Sequence, residues 1–352
     1  MYYVNTNYLD MERVFPEQGR DEYLKLDMNE NVDGLPKSFV KEFVENITPE
    51  FVLMYPEPKN FEKKYAEFIN VNEDEVMATN GSDVAIRYAF ETFGEVGKTV
   101  VTVTPSFEMY RINASLIGMN HKAVGYREDY SIDVDEIVKN IDENTRIVVL
   151  LNPNNPIGNV YEEREVRRII EKADENGAVV IIDEAYHYFC DTTFVDLIKE
   201  YKNVMIFRTF SKLFAMAACR LGVIVSNTEL IHWLKKGKLT FDVNSFALKM
   251  GEMILDRPEI IANMIDQAKE GKSYLVNTLE TLGYRTKWCE GNFIFFYPKS
   301  EAKSLAKKLK EAKILVKTFS VPMLKDVIRV TTASKEVMSR FVEVLLLVDI
   351  VD

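Results

Sequence analysis

Cysteine and histidine are scarce in this chain of 352 residues, which contains three of each. The cysteines are Cys190, Cys219 and Cys289, and the histidines are His121, His187 and His232. Because the cysteines are far apart and odd in number, neither a disulfide framework nor a paired metal motif is indicated. The scattered histidines likewise argue against a histidine-based metal site and against a serine–histidine hydrolase. We expect no metal centre, and we interpret His187 as a structural group beside Tyr186.

Long apolar runs, basic clusters and a leader pattern are also missing. No apolar run reaches the length of a bilayer span, and the first five residues lack the charged-then-apolar pattern of a leader. The net charge of -11 is spread along the chain without a basic stripe, which argues against nucleic acid or an anionic membrane as the main partner. With 47% hydrophobic and 28% charged residues, the composition is that of an ordinary globular protein, and we expect it to be cytoplasmic.

Buried-strand and helical patterns alternate from residue 61 to about residue 225. The predicted strands lie at 99–103, 147–151, 179–182 and 204–207, and amphipathic helices such as 163–176 separate them. This alternation predicts an α/β domain with a mainly parallel sheet and helices on both faces.

From about residue 241 the pattern changes to that of a smaller α+β domain. A long helix through 265–282 precedes a strand at 292–297, a helix at 301–311, a strand at 328–331 and a final helix at 337–348. We therefore predict three parts: an N-terminal arm (1–30), a large domain (31–240) and a small C-terminal domain (241–352).

The most informative residues follow two neighbouring strands. They are Asp183 and Tyr186 after the first strand, then Thr209, Ser211 and Lys212 after the second, and Arg220 eight positions beyond the lysine. Open α/β sheets bind ligands at the carboxyl ends of their strands, so these side chains, and Arg208 beside them, are expected at one edge.

Pyridoxal phosphate is the cofactor that needs this set of groups. Its aldehyde requires a lysine amine, which predicts a catalytic role for Lys212. Its ring nitrogen requires an acid that keeps it protonated, which suits Asp183. Its phosphate requires hydroxyls and a cation, which suits Thr209, Ser211 and the planar fork of Arg220.

Two further residues are candidates for the oxygen on the cofactor ring. The phenol of Tyr186 can donate to it and thereby lower the pKa of the lysine linkage. Asn155, in the turn 152–158 after a buried strand, can donate to the same oxygen. The prolines and glycine of that turn are also what any strand-terminating turn would use.

In the order and spacing of these motifs the chain resembles the fold-type I pyridoxal-phosphate aminotransferases, and within them the histidinol-phosphate aminotransferase group. The resemblance runs from about residue 26 to about residue 337. It implies an aspartate aminotransferase-like fold with a seven-stranded sheet, pyridoxal 5′-phosphate as cofactor, and a homodimer with shared active sites. It further implies amino transfer between histidinol phosphate, or a related amino acid or amine, and a 2-oxo acid such as 2-oxoglutarate.

Two other functions stay open on the same scaffold. The first is decarboxylation of a phosphorylated amino acid, as in the phosphothreonine decarboxylases that this group resembles, because the sequence does not reveal which bond of the substrate stands perpendicular to the ring. The second is a non-catalytic ligand-sensing domain, against which the intact Lys212 argues.

The resemblance assigns roles to several more residues. Asn29 belongs to the N-terminal segment that closes over the substrate. Tyr55 belongs to a loop that reaches the cofactor phosphate of the partner subunit, although an ordinary turn tyrosine before proline would look the same. Gly81, Ser82 and Asp83 open a helix whose N–H groups form an anion site, or else simply cap it.

Three more assignments concern the ring face and the substrate. Tyr110 is expected to stack on the pyridine ring, with Phe107 as the competing choice and core packing as the alternative for both. Arg329, at a strand end, is expected to clamp the substrate α-carboxylate, although a surface ion pair would also explain it. Lys317 stands where the group has a second, phosphate-binding arginine, and it offers a point charge without the fork.

The chain departs from the family pattern in other places. Ile157 replaces a threonine, and Ala218, Cys219 and Ala333 stand where glycines are usual. The segment 14–17 lacks the expected proline–tyrosine, so the tyrosine that touches substrate in relatives is replaced by an unidentified residue, with Phe15 and Tyr23 as candidates.

Overall fold

A computed structural model describes residues 2–9, 11, 15 and 18–350. Its α-helices, α1 to α12 in chain order, are Lys37–Glu45, Pro49–Leu53, Lys59–Ile69, Gly81–Phe93, Met109–Ile117, Val134–Lys139, Glu163–Glu175, Thr228–Gly237, Ser245–Leu255, Pro258–Thr281, Ala302–Glu311 and Lys335–Val348. Its strands, β1 to β12, are Leu24–Lys25, Val76–Thr79, Thr99–Thr104, Asn120–Gly125, Thr145–Leu151, Val179–Asp183, Val204–Thr209, Gly222–Ser226, Arg285–Trp288, Phe293–Tyr297, Ile314–Leu315 and Ile328–Thr331. No helix in the described ranges is both long and apolar enough to cross a membrane.

The large domain is built on a seven-stranded sheet of order β2-β8-β7-β6-β5-β3-β4. Strand β8 is antiparallel to both of its neighbours, and the remaining pairs are parallel, which confirms the mainly parallel sheet. Leu151 pairs with Asp183, and Asp183 pairs with Phe207. The carboxyl ends of β5, β6 and β7 therefore meet at one edge, where the predicted residues follow them.

The small domain has its own apolar core. Strands β9, β10 and β12 form a three-stranded antiparallel sheet, and β1 pairs in parallel with β11. Leu26 from the N-terminal arm is buried in this smaller core with residues of α10, α11 and α12. Leu26 of the arm is thus packed on the C-terminal part of the chain, whereas Asn7, nearer the N-terminus, donates a hydrogen bond to the Leu116 carbonyl of α5.

The division of the chain at residue 240 stays a prediction. Buried side chains of α9 and of the start of α10, such as Leu248 and Ile261, belong to the larger core. Leu275 and Leu279, further along α10, belong to the smaller one. Helix α10 therefore passes from one core to the other.

Candidate active site

Lys212 lies in the loop between β7 and β8, where the arm, the large domain and the small domain meet. Its Nζ donates a hydrogen bond to the carbonyl of Met28 at 3.0 Å and lies 5.7 Å from the centre of the Tyr186 ring. Lys212 is half-buried. The loop brings its amine to the carboxyl-terminal edge of the sheet, which is the position that the sequence predicted.

Asp183 is buried at the end of β6, with 2% of its surface exposed. One carboxylate oxygen accepts a hydrogen bond from the Tyr110 hydroxyl at 2.8 Å, and the other accepts from the Ala185 N–H at 3.1 Å. Burial raises the pKa of Asp183 to about 6, although both hydrogen bonds favour the charged form. A buried carboxylate of this kind is strongly stabilised by a cationic partner.

Tyr186 is the second buried group at this edge. Its hydroxyl oxygen accepts hydrogen bonds from the side-chain amides of Asn29 at 3.1 Å and Asn155 at 3.0 Å. Two incoming donors occupy its lone pairs, so its own hydrogen is available to an acceptor bound in the site. The ring is held edge-on to Phe293 at 5.7 Å.

The turn that carries Asn155 is fixed by a close approach from the small domain. Gly158 has φ +74°, and a Cβ there would overlap Cys289. The N–H of Glu290 donates to the Gly158 carbonyl at 2.7 Å. The buried ammonium of Lys272 donates to the carbonyls of Cys289 and Gly291, and so holds the approaching segment in place.

The predicted anion site forms at the start of α4. Gly81 has φ +75°, and a Cβ on it would lie 2.7 Å from Nη2 of Arg220. A Cβ on Gly222 would lie 2.8 Å from the carbonyl carbon of Gly81. Both glycines are therefore needed to bring the helix start, the loop and the guanidinium together.

Hydroxyl groups line the same site. Arg220 Nη1 lies 3.4 Å from Ser211 Oγ, and Thr209 Oγ1 accepts from the Ser211 N–H at 3.1 Å. Arg220 also pairs with the Asp83 carboxylate at 3.5 Å. Since that carboxylate would repel a phosphate, the backbone N–H groups of Ser82 and Asp83 are the ones suited to an anion.

Arg329 on β12 is a buried guanidinium. Its Nη1 donates to the Asn155 side-chain oxygen and its Nη2 to the Asp27 carbonyl at 2.6 Å. Burial lowers its pKa. Its Nε has no hydrogen-bond partner, and no carboxylate of the described residues forms an ion pair with it. A buried cation without an anion partner is the feature expected of a substrate clamp.

Lys317 lies directly beside Arg329. The two residues form an antiparallel bridge in which the Lys317 N–H donates to the Arg329 carbonyl at 3.0 Å, and the Arg329 N–H donates back at 2.9 Å. Residues directly opposite each other in such a pair project to the same face. Lys317 is exposed, so its ammonium is open to solvent on the side of the buried guanidinium.

Some predicted residues make other contacts than expected. Tyr110 is buried, and its hydroxyl is directed to Asp183, while Phe107 packs edge-on against it at 5.9 Å. Tyr55 is 73% exposed and stacks on Phe241 at 4.2 Å, outside the hydrogen-bonded cluster. Tyr23 is half-buried with Lys313 4.9 Å from its ring centre. The proposed roles of these residues stay predictions.

Of the segment 14–17, Val14, Pro16 and Glu17 lie outside the described residues. Phe15 is described and is 72% exposed. The identity of the residue that replaces the expected N-terminal tyrosine is therefore still a prediction.

Arg208 is directed away from the anion site. Its guanidinium makes two hydrogen bonds of 3.0 and 2.9 Å to one carboxylate oxygen of Glu184, and both residues are buried. His187 also lies in this cluster, with Nδ1 2.9 Å from the Glu184 carbonyl, and burial holds its pKa well below the usual range. Alternation of side chains at a strand end could have revealed this, since Glu184 and Arg208 each follow or precede a site residue by one position.

The donor set fits pyridoxal phosphate. The glycine cradle with Arg220 and the helix start fits its phosphate, the buried Asp183 fits its ring nitrogen, and Tyr186 has a free hydrogen for its ring oxygen. Lys212 brings a primary amine into the same edge. The residues that would hold the cofactor therefore come together in one place.

Comparisons with known proteins agree with this geometry. A sequence profile of the family described as Aminotransferase class I and II matches residues 21–345. The histidinol-phosphate aminotransferase of Clostridium novyi (strain NT) is 31% identical over 328 residues, which cover 92% of this chain and 91% of that protein.

Solved structures of the same kind share the fold. The histidinol-phosphate aminotransferase from Clostridium acetobutylicum has a TM-score of 0.82 at 24% identity, covering 93% of this chain and 99% of its own. That from Sinorhizobium meliloti, in complex with pyridoxal-5′-phosphate, has a TM-score of 0.82 at 18% identity, covering 92% and 91%.

Proposed function

We propose that this chain, which belongs to the class I and II aminotransferase family and uses pyridoxal phosphate, transfers the amino group of histidinol phosphate, or of a closely related donor, to a 2-oxo acid. 2-Oxoglutarate is the expected acceptor. The whole-length similarity to histidinol-phosphate aminotransferases supports this choice of substrate.

Bound pyridoxal phosphate supplies an aldehyde for the amine of the substrate and a ring that withdraws electrons from its α-carbon. Lys212 would hold the cofactor through its amine and would carry a proton to and from the α-carbon of the substrate. Asp183 holds the ring nitrogen protonated, and Tyr186 with Asn155 holds the ring oxygen. Arg220, Ser211, Thr209 and the start of α4 bind the phosphate.

The observation that carries the substrate proposal is the pair of cations formed by Arg329 and Lys317. Arg329 is buried with an unpartnered Nε, which suits a carboxylate or a phosphate held in a fixed orientation. Lys317 lies on the same face by its pairing and is open to solvent. A donor with a distal phosphate would satisfy both charges, whereas a plain amino acid would need only Arg329.

We further propose that the active unit is a cytoplasmic homodimer with shared sites. The helix α2 and the residues after it expose Val52, Leu53, Met54 and Tyr55, and Phe241 and Phe246 extend the same surface. Contiguous apolar patches of this kind mark interaction surfaces. Burial of this patch against a second copy would let Tyr55 reach the partner's cofactor phosphate.

The test uses the purified protein loaded with pyridoxal phosphate. Borohydride reduction followed by peptide mapping is expected to mark Lys212, and Lys212→Ala is expected to retain little turnover. Labelling of another lysine would contradict the site assignment. Incubation with histidinol phosphate and with plain amino acids, each with 2-oxoglutarate, is expected to form glutamate fastest from the phosphorylated donor.

The same assay separates the other activities. Release of carbon dioxide from a phosphorylated amino acid, without glutamate, would identify a decarboxylase instead. Binding of donors without any turnover would identify a ligand-sensing protein. Either outcome would overturn the proposal of amino transfer to a 2-oxo acid.

A further inference from the structure

Asn29 is the one residue of the N-terminal segment whose side chain reaches the Tyr186 hydroxyl among the described contacts. It is fully buried and adopts a left-handed backbone conformation with φ +57°. Its Nδ2 donates to Tyr186 at 3.1 Å. Since no part of Asn29 is exposed, its side chain is placed to act on Tyr186 rather than on a substrate.

The small domain fixes Asn29 from two sides. The Asn29 N–H donates to Thr331 Oγ1 at 3.0 Å, and Thr331 Oγ1 donates back to the Asn29 side-chain oxygen at 3.3 Å. The side-chain amide of Asn292 donates to the Asn29 carbonyl at 3.1 Å. Thr331 ends β12, the strand that carries Arg329, and Asn292 directly precedes β10 of the same sheet.

The hydrogen bond that the Asn29 side-chain amide donates to Tyr186 affects how strongly the Tyr186 hydroxyl donates its own hydrogen bond. Hydrogen bonds in a chain polarise one another, so a donor to the phenolic oxygen strengthens the O–H as a donor in turn. Asn155 supplies one such donor from the large domain, and Asn29 supplies the second from the arm.

We propose that Asn29 is a positioning residue that orients the Tyr186 hydroxyl, strengthens it as a donor to the cofactor ring oxygen, and ties that setting to strand β12. This inference depends on the proposed cofactor role of Tyr186. It replaces a direct substrate contact for Asn29 with an action through Tyr186. A shift of β12, which holds the substrate-binding Arg329, is thereby transmitted to the ring oxygen.

The measurement is the pH at which the visible absorbance of the loaded enzyme changes. If the Tyr186 hydroxyl donates more weakly, the negatively charged ring oxygen of the cofactor is stabilised less. The group whose titration changes the absorbance then keeps its proton to a higher pH, so the midpoint of the absorbance change rises. Asn29→Gly weakens the Tyr186 donor without removing it, so a rise of up to about 0.5 pH unit is expected. Glycine is chosen because it accepts the positive φ without strain. Tyr186→Phe is expected to raise the midpoint further.

Asn70→Gly is the matched control. Asn70 has the same left-handed conformation, with φ +59°, but is an exposed residue at the end of α3. Its variant is expected to leave the midpoint unchanged. Thermal unfolding of the cofactor-free variants shows whether each is folded. If Asn29→Gly does not fold, Thr331→Val, which removes the anchor on the Asn29 N–H and side-chain oxygen, is expected to raise the midpoint instead.

The outcomes separate this inference from the function on which it depends. A rise for Tyr186→Phe with none for Asn29→Gly, or with none for Thr331→Val where that variant stands in, would overturn the role of Asn29 and leave the proposed function intact. No rise for Tyr186→Phe would refute the cofactor role of Tyr186, and the role of Asn29 with it.

Discussion

At the scale of single residues, Asp183 is a site residue whose burial lowers the stability of the cofactor-free fold. A carboxylate buried at a strand end would be easier to accommodate as a neutral amide, because desolvation disfavours its charge. The Tyr110 hydroxyl and the Ala185 N–H compensate for only part of that loss, since the pKa of Asp183 is still raised to about 6. The residue is therefore suited to a cationic partner, and none of the described side chains forms an ion pair with it.

This gives a prediction for the cofactor-free protein. The folded pKa of Asp183 is about 6, and that of an unfolded aspartate is about 4, so the folded state binds the extra proton between these values. The contribution of this group to the free energy of unfolding is fully present below about pH 4 and is lost as pH rises through 6. At pH 7.5, Asp183→Asn should raise the stability of the cofactor-free protein, by at most roughly 3 kcal/mol.

The check is thermal unfolding of the cofactor-free Asp183→Asn variant at pH 7.5 and at pH 5. The melting temperature of the variant should exceed that of the parent protein by the largest margin at pH 7.5. The margin should be smaller at pH 5, where the carboxyl group of Asp183 in the parent is largely protonated. With cofactor bound, the variant should have lost most of its turnover. A lower melting temperature than the parent at both pH values would refute this reading of the buried carboxylate.

Lys317 allows a second prediction at this scale. Loss of one charge-assisted contact to a distal phosphate is expected to lower catalytic efficiency by roughly ten- to a hundredfold. Lys317→Ala should do so for phosphorylated donors and leave plain donors nearly unchanged, while Lys317→Arg should keep or improve the use of histidinol phosphate. Equal losses with both kinds of donor would show that Lys317 is only a surface lysine.

The sequence predicted the location of the site residues better than their contacts. Asp183, Tyr186 and Lys212 were found because each follows an uninterrupted apolar strand, and the ends of such strands must converge. The ion pair of Arg208 was not predicted, because Arg208 before Thr209 and Arg220 after Lys212 look equally suited to a phosphate in the sequence. Its burial against Glu184 depends on which face of the sheet each side chain occupies.

At the scale of elements, buried apolar strands such as those at 147–151 and 328–331 were predicted, whereas two edge strands with mostly exposed or half-buried side chains were not. The predicted strand at 147–151 was observed as β5, Thr145–Leu151, which is buried along nearly its whole length. Strand β4, Asn120–Gly125, lies at the edge of the sheet and is largely exposed, so its sequence has no continuous apolar run. Strand β9, Arg285–Trp288, lies at the edge of the small sheet and was missed for the same reason.

Helix α10 contains a glycine, Gly271, at a position where a larger side chain would clash with the backbone. Glycine in a helix interior normally lowers stability by roughly 0.5–1 kcal/mol relative to alanine. At Gly271, however, a Cβ would overlap the carbonyl oxygen of Ala333 and lie 2.7 Å from its carbonyl carbon and 2.9 Å from that of Ser334. All three are backbone atoms of the connection between β12 and α12, so they cannot move aside as a flexible side chain can.

Gly271→Ala is therefore expected to lower stability by at least roughly 1–3 kcal/mol, despite the better helix propensity of alanine. The matched control is Gly251→Ala in α9, where the nearest atoms are the side-chain ends of Leu221 and Phe61. That variant should lose less, because those side chains can shift. A melting temperature of Gly271→Ala at or above that of the parent would contradict the steric argument.

At the scale of the whole molecule, the described chain leaves a continuous apolar surface open. Phe51 of α2 packs edge-on against Phe246 at the start of α9 at 5.3 Å, and Tyr55 after α2 stacks on Phe241 before α9 at 4.2 Å, so these segments form one patch. Lys212 and Arg220, by contrast, come to the site from the same chain. These two facts make different predictions for a mixture of inactive subunits.

If Tyr55 completes the partner's site, Lys212→Ala and Tyr55→Phe subunits produced together should form mixed dimers in which one site has both groups. With random pairing and an inactive Tyr55→Phe parent, about a quarter of all sites would be intact, and activity should rise towards that fraction. Lys212→Ala produced together with Arg220→Ala should regain nothing, because both residues belong to one chain's site and every mixed site lacks one of them. No recovery in the Tyr55→Phe mixture, or full activity from a monomer, would show that Tyr55 does not complete the partner's site.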